Sequence, residues 1–277
     1  MRQSCDLSVF FSLGCRRNPK GIYVLAALLS ALPVHAGEPL EEIIVTASLR
    51  PAPATEFPAS TTVLDAAVLQ AAGLQHLQDV LGLVPNLNWS GGTSRPRYFQ
   101  VRGVGELEQY QGAPNPSVGF LIDDIDFSGV GMPATSFDVE QVEVLRGPQG
   151  TRYGANALAG LINVRTRAPR PEQELRTEFS AGEDGLWSAG LVAGGAVGIG
   201  AGDGGAWRLA AQQARSDGFR HNRYLGRSDT NGRDEFTLRG RLALEPVDGW
   251  RLGLTLLHAD LDNGFDAFAP DNSFDTI

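Results

Sequence analysis

The chain is poor in the residues that most directly assign a chemistry. It has only two cysteines, Cys5 and Cys15, in 277 residues, and both lie in a leader-like N-terminal stretch. Removal of that stretch leaves no thiol for a disulfide or a thiolate nucleophile. Nowhere does the sequence hold a run of ~20 apolar residues, so no membrane-spanning helix is expected. That absence does not exclude a membrane, because barrel strands leave a much weaker hydropathy trace. Beyond the leader the histidines are His76, His221 and His258, too scattered for a metal-ligand pattern. Gly103-Val104-Gly105 lacks the third glycine of a dinucleotide fingerprint, and no Gly-Lys-Ser/Thr follows any Gly-rich stretch. Asp123, Asp124 and Asp126 suit an acidic turn at a strand end better than a cation site. With no nucleophile beside a base, the residues point to neither an enzyme nor a cofactor.

Charge of one sign is also scarce. The formal net charge is −9, and loss of the leader, with four basic residues and one acidic, takes it to −12. An acidic protein of this kind is a poor partner for nucleic acid. What is present is an ordinary globular composition, 42% hydrophobic and 20% charged, with 34 glycines. That suits a β protein with many turns.

Residues 1–36 read as an export signal. Arg2, Arg16, Arg17 and Lys20 make a basic start, residues 22–32 a short apolar core, and Val34-His35-Ala36 a small-residue cleavage site, with the cut after Ala36. Residues 37–57 form a proline-punctuated linker interrupted by one β-prone run, Glu41-Glu42-Ile43-Ile44-Val45-Thr46-Ala47. A short extended run in an arm can add as a strand to a partner's sheet edge, or serve as an edge strand of its own domain. Residues 58–168 read as one α+β domain: a strand over 60–64, a helix over 66–72 capped by Asp65 and stopped by Gly73, and leucines at helical spacing from Leu74 until Pro85. Further strands are expected over 99–102, 118–122, 142–146 and 161–165.

Beyond Pro169 and Pro171 the pattern becomes alternation. Leu175, Thr177 and Phe179 share one face, against Glu174, Arg176 and Glu178. Phe236, Leu238, Leu242 and Leu244 lie opposite Glu235, Thr237, Arg239 and Arg241. Five strands are expected, over 174–181, 186–195, 207–215, 235–245 and 250–260, with lengths that suit tilted membrane strands. Trp207 and Trp250 stand beside short turns, where an aromatic girdle would sit. A soluble antiparallel sheet with one wet face gives the same alternation; the export signal favours the membrane. Five strands cannot close in lipid without unpaired edges. A barrel wide enough for a plug of this size has about 22 strands, so residues 172–277 are expected to be the first strands of an incomplete barrel, from a fragment or a broken gene.

The run Val142-Glu143-Val144-Leu145-Arg146-Gly147-Pro148-Gln149-Gly150, continuing through Tyr153-Gly154 to Gly160-Leu161-Ile162-Asn163-Val164, resembles the plug signature of TonB-dependent outer-membrane receptors. Val84-Pro85-Asn86, Val101-Arg102-Gly103 and Phe120-Leu121-Ile122-Asp123-Asp124 follow in the family's order, and residues 42–47 resemble its TonB box. The likeness spans 41–168 strongly, and 172–262 resemble early barrel strands of iron-complex receptors. The resemblance implies an α+β plug followed by antiparallel transmembrane β-barrel strands in the bacterial outer membrane, in contact with its lipid. It implies TonB, with its ExbB/ExbD energising complex, binding at Glu42, Ile43, Ile44, Val45, Thr46 and Ala47. It implies a plug–barrel lock at Arg102, Arg146, Gly147 and Pro148, the arginines meeting barrel glutamates. The implied ligand is a ferric siderophore or similar iron chelate, with vitamin B12 or a glycan as alternatives, and a non-transporting plug as the rival reading. Arg95, Arg97, Tyr98, Gln109 and Tyr110 sit in plug loops that would face that ligand. The basic, aromatic stretch Phe219, Arg220, His221, Arg223, Tyr224 and Arg227 would meet it from outside or serve the structure.

Overall fold

The computed structural model describes residues 43–47, 52–73, 76–91, 94–107, 116–130, 135–198, 204–223, 225–247 and 249–264. The export signal, Glu42, Gln109, Tyr110 and Tyr224 lie outside the described residues.

A short ladder opens the fold, β1 (Ile44–Val45) antiparallel to β2 (Ala52–Pro53). The globular domain follows: β3 (Ser60–Asp65), α1 (Ala66–Ala72), α2 (Leu77–Leu81), β4 (Leu87–Ser90), β5 (Tyr98–Val101), β6 (Val118–Ile122), β7 (Ile125–Asp126), β8 (Val139–Arg146), α3 (Gly150–Tyr153) and β9 (Gly160–Thr166). Its central sheet runs β3-β8-β9-β6-β7, with β6 and β9 the parallel pair. β4 and β5 form a separate hairpin.

Local chemistry accounts for α1. Asp65 accepts a hydrogen bond from the Val68 amide at 2.8 Å, and Gly73 closes the helix at φ 62. Such a cap contributes about 1 kcal/mol, and the left-handed residue falls where glycine carries no Cβ penalty. α2 is shorter than the leucine spacing suggests. It covers 77–81, while Leu77, Leu81 and Val84 are all buried as that spacing requires. The residue before Pro85 avoids helical geometry, so the chain leaves the helix early.

Period-two alternation divides the central sheet between two apolar clusters. Val142 and Val144 of β8, Ile162 and Val164 of β9, and Phe120 of β6 join the helix leucines on one face. Leu145, Leu161 and Leu121 face the other way, against Ala47, Ala157, Phe57 and Tyr153. Glu143 and Asn163 share that second face by the same alternation, and both are fully buried. The Gly-rich segment lies close on this sheet: a Cβ on Gly160 would stand 2.7 Å from the Leu145 carbonyl oxygen and 3.2 Å from Val101 Cγ2. Gly160→Val is expected to cost about 1–3 kcal/mol by overpacking, read as a lower denaturant midpoint of the protein; an unchanged midpoint would show that the backbone can yield there.

Five strands then run as an antiparallel meander in chain order: β10 (Glu174–Ala181), β11 (Trp187–Val197), β12 (Gly204–Ser216), β13 (Arg233–Val247) and β14 (Trp250–Asn263). The last four exceed the alternating runs seen in the sequence, because ladder pairing continues into residues that break the apolar pattern. Four of the five are 11–15 residues long, enough to cross hydrocarbon when tilted.

The faces of this wall separate water from lipid as its solvent. Leu175 and Phe179 are 77% and 72% exposed, and Leu252, Leu254 and Leu256 are exposed with them. Arg208, Glu235 and Arg239 on the opposite face are only 4–8% exposed. A soluble sheet would bury its leucines and solvate its arginines. Here the charged face is turned into protein and the apolar face outward, the arrangement of a membrane barrel with a filled lumen. Trp187, Trp207 and Trp250 are on the exposed side toward the strand ends, as an aromatic girdle requires.

Candidate functional site

Two places in the described residues concentrate polar chemistry inside protein. The first is the arm at 43–47. Its β2 edge is filled by backbone pairing, including Ala54 N–H to the Ile43 carbonyl at 2.8 Å. Its other edge is filled by side chains. The Ile44 carbonyl accepts from Gln141 Nε2 at 3.1 Å, the Thr46 carbonyl from Arg152 Nη1 at 3.2 Å, and the Thr46 amide donates to Glu143 Oε1 at 2.7 Å. Glu143 also accepts from Thr46 Oγ1 at 2.7 Å, from the Ala47 amide at 2.8 Å and from Asn163 Nδ2 at 3.1 Å, and from Gln141 Nε2. Arg165 donates to Thr46 Oγ1 at 3.1 Å and to Asp124 at 2.7 Å. Val45 and Ala47 are buried beneath this shell, whereas Ile43 is exposed.

The second is the seam between the globular domain and the wall. Asp138, just before β8, has a side chain 1% exposed and three arginines around it. Arg208 of β12 grips it as a fork, Nη2 to Oδ1 at 2.6 Å and Nε to Oδ2 at 2.8 Å. Arg176 of β10 donates to Oδ1 at 3.1 Å, and Arg239 of β13 lies 3.8 Å from Oδ2 while donating to the Phe137 carbonyl at 2.9 Å. Glu174 balances the surplus cations, accepting from Arg208 Nη1 at 2.7 Å. Further along, Glu235 of β13 receives Arg95 at 2.6 Å, His76 at 3.2 Å and Asn263 at 2.8 Å. Arg241 donates to the Thr166 carbonyl at 2.8 Å and lies 3.4 Å from Asp123. Buried ion pairs hold only where such extra hydrogen bonds complete them.

The residues singled out from the sequence fall differently. Arg102 follows β5 in a left-handed turn at φ 54 and is exposed; Arg146 ends β8 and donates to the Pro85 carbonyl at 3.1 Å. Among the described residues no carboxylate lies within ion-pair distance of either arginine. Burial and the neighbouring Arg102 guanidinium push Arg146 below the usual arginine pKa. Gly147 takes φ 104, and Pro148 beside it is exposed. Arg95, expected at a ligand-facing apex, is buried and turned to the wall, because Glu235 is the carboxylate in its reach. Arg97 donates to the Gly129 carbonyl at 3.2 Å and lies 5.9 Å from the Tyr98 ring centroid. The loop between β12 and β13 is described apart from Tyr224, and Phe219, exposed with Arg220 against its ring, lines a cavity of about 310 Å³ with His76, Thr135, Leu186 and Arg233. Asp138 and Glu143 carried no sequence signal as site residues. Asp138 stands just before β8 and Glu143 shares its face of the sheet with Leu145, so alternation marks neither as a site residue. Among the described residues, no group of three or more His, Cys, Asp or Glu is arranged to hold a metal ion.

Residues 53–161 match the family described as TonB-dependent Receptor Plug Domain. The chain is 30% identical over 171 residues to the vitamin B12 transporter BtuB of Vibrio vulnificus, covering 58% of this chain and 27% of that protein. It is 33% identical over 129 residues to the pesticin receptor of Yersinia pestis, covering 46% of this chain and 19% of that protein. Among solved structures it is similar to the ferric yersiniabactin uptake receptor FyuA of Yersinia pestis, with TM-score 0.58 and 26% identity over 73% of this chain and 31% of that one. The ferripyoverdine receptor of Pseudomonas aeruginosa shares the fold, with TM-score 0.62 and 20% identity over 79% of this chain and 27% of that one. The chain thus spans about a quarter of the length of these relatives.

Proposed function

The chain belongs to the TonB-dependent receptors of the bacterial outer membrane, and from that membership we propose that it serves the energised uptake of a scarce iron complex, a ferric siderophore or similar chelate. The observation that carries the reading is the docked arm. A short strand on a plug seated in a charged wall is a handle that a partner can grip by strand addition. The ligand binds at the outer loops and loosens the arm. TonB, driven by ExbB/ExbD, then pairs with residues 42–47 and pulls the plug out of the path.

Arg102, exposed, and Arg146, half-buried beside it, fit the lock role as two neighbouring cations with no carboxylate within ion-pair distance among the described residues. Arg97 and Tyr98, with Gln109 and Tyr110, remain the proposed ligand-facing residues of the plug. An anionic chelate suits the basic loop with Arg220, His221, Arg223 and Arg227. The likeness to the vitamin B12 transporter supports cobalamin as the second reading. Uptake of radiolabelled iron chelates and of cobalamin by cells carrying the intact receptor separates the two. Ile44→Pro removes an arm amide and should lower uptake about tenfold or more while outer-surface binding stays intact. Undiminished uptake by this variant would reject the TonB reading.

A further inference from the structure

We infer that Glu143 is the positioning residue that decides when the arm can be taken by its partner strand. The inference rests on the uptake reading above and goes beyond it to the residue that controls the handle. Strand addition needs a free edge of backbone amides and carbonyls. On the arm, the edge away from β2 is occupied by Gln141, Glu143 and Arg152 in place of a strand. Glu143 dominates this edge. It is wholly buried, and three of its five hydrogen bonds come from the arm, through the Thr46 amide, the Thr46 hydroxyl and the Ala47 amide.

The other two donors, Asn163 and Gln141, are neutral amides. Among the described residues no arginine or lysine lies within ion-pair distance of Glu143. A buried carboxylate without a counter-cation depends on its hydrogen-bond donors. Arm and carboxylate therefore satisfy each other: undocking the arm strips Glu143 of most of its donors, and neutralising Glu143 strips the arm of its acceptor. A side-chain amide cannot replace the carboxylate at both oxygens. The Thr46 amide donates to Oε1 and the Ala47 amide to Oε2; a backbone N–H only donates, so the amide nitrogen of a glutamine would face one of them however it is turned.

The experiment uses the intact receptor in outer-membrane vesicles, with a nitroxide label at Ile43→Cys, whose side chain is exposed, for mobility, and the unlabelled receptor for TonB binding. Label mobility and the affinity of a purified TonB C-terminal domain are measured without ligand, in wild type and Glu143→Gln. The expected result is a label immobile in wild type and mobile in the variant, with apo affinity for TonB raised about tenfold by removal of the competing contacts. Arg152→Ala, which removes one of the edge contacts, should mobilise the label only slightly. An immobile label and unchanged affinity in Glu143→Gln would overturn the assignment. So would protease sensitivity spreading through residues 60–166, since Glu143 would then hold the plug and not the arm. A wild type that binds no TonB even with ligand would refute the uptake reading, while label mobility would still report on Glu143.

Discussion

Asp138→Asn is expected to unseat the plug from its wall. The substitution keeps the shape of the side chain and suits the backbone, because Asp138 sits at φ 58 and asparagine tolerates that left-handed geometry. What it removes is the charge. Among the described residues, Arg208, 4% exposed, would keep Glu174 as its ion-pair partner, and Arg239 would lose the one carboxylate within ion-pair distance of it. Breaking a buried pair from one side costs about 3–5 kcal/mol. In the intact receptor this should appear as faster hydrogen exchange in β8 and a lower urea midpoint for plug protection. The double variant Asp138→Asn with Arg208→Met should recover much of the loss, because removing both partners of a buried pair is far cheaper than removing one. A single variant as protected as wild type would mean that the other ties, at Glu235 and Asp123, seat the plug without it.

The second large effect tests the solvent of the outer face. Leu254 lies mid-strand in β14, opposite Leu242, and is 50% exposed. In water, an arginine at an exposed strand position changes stability by about 0.5 kcal/mol or less. Facing hydrocarbon near the bilayer centre, it costs about 2–4 kcal/mol. Leu254→Arg should therefore sharply reduce the fraction of receptor that folds into lipid vesicles and runs as the compact, heat-modifiable species. Normal folding yield would place this face in water.

Much of the architecture was legible before any coordinates. The α1 helix is written in Asp65 and Gly73, whose effects reach only three or four residues. The wall strands are written in the alternation of leucines with charges, a pattern any residue pair two apart can carry. The plug itself is legible in the run from Val142 to Val164. Strand ends were less so, since β11 and β13 extend through residues that break the alternation once a neighbour supplies the ladder.

The site was legible only as composition. Residues 42–47 read as an arm strand. The sequence left open whether that strand stands free or joins its own domain, and the structure docks it on Glu143, 96–97 residues away. Arg95 read as a loop cation free to meet a ligand; Glu235, 140 residues later in the chain, holds it at the wall. Asp138 gave no sign of meeting arginines from three strands. Local steric and solvent preferences act over a few residues and are therefore inscribed in order, in the caps, the alternation and the glycine turns. Which buried charge meets which depends on how the plug lies in its wall, and no short-range preference encodes that. Burial makes each unpaired charge expensive, so tertiary packing had to select the partners.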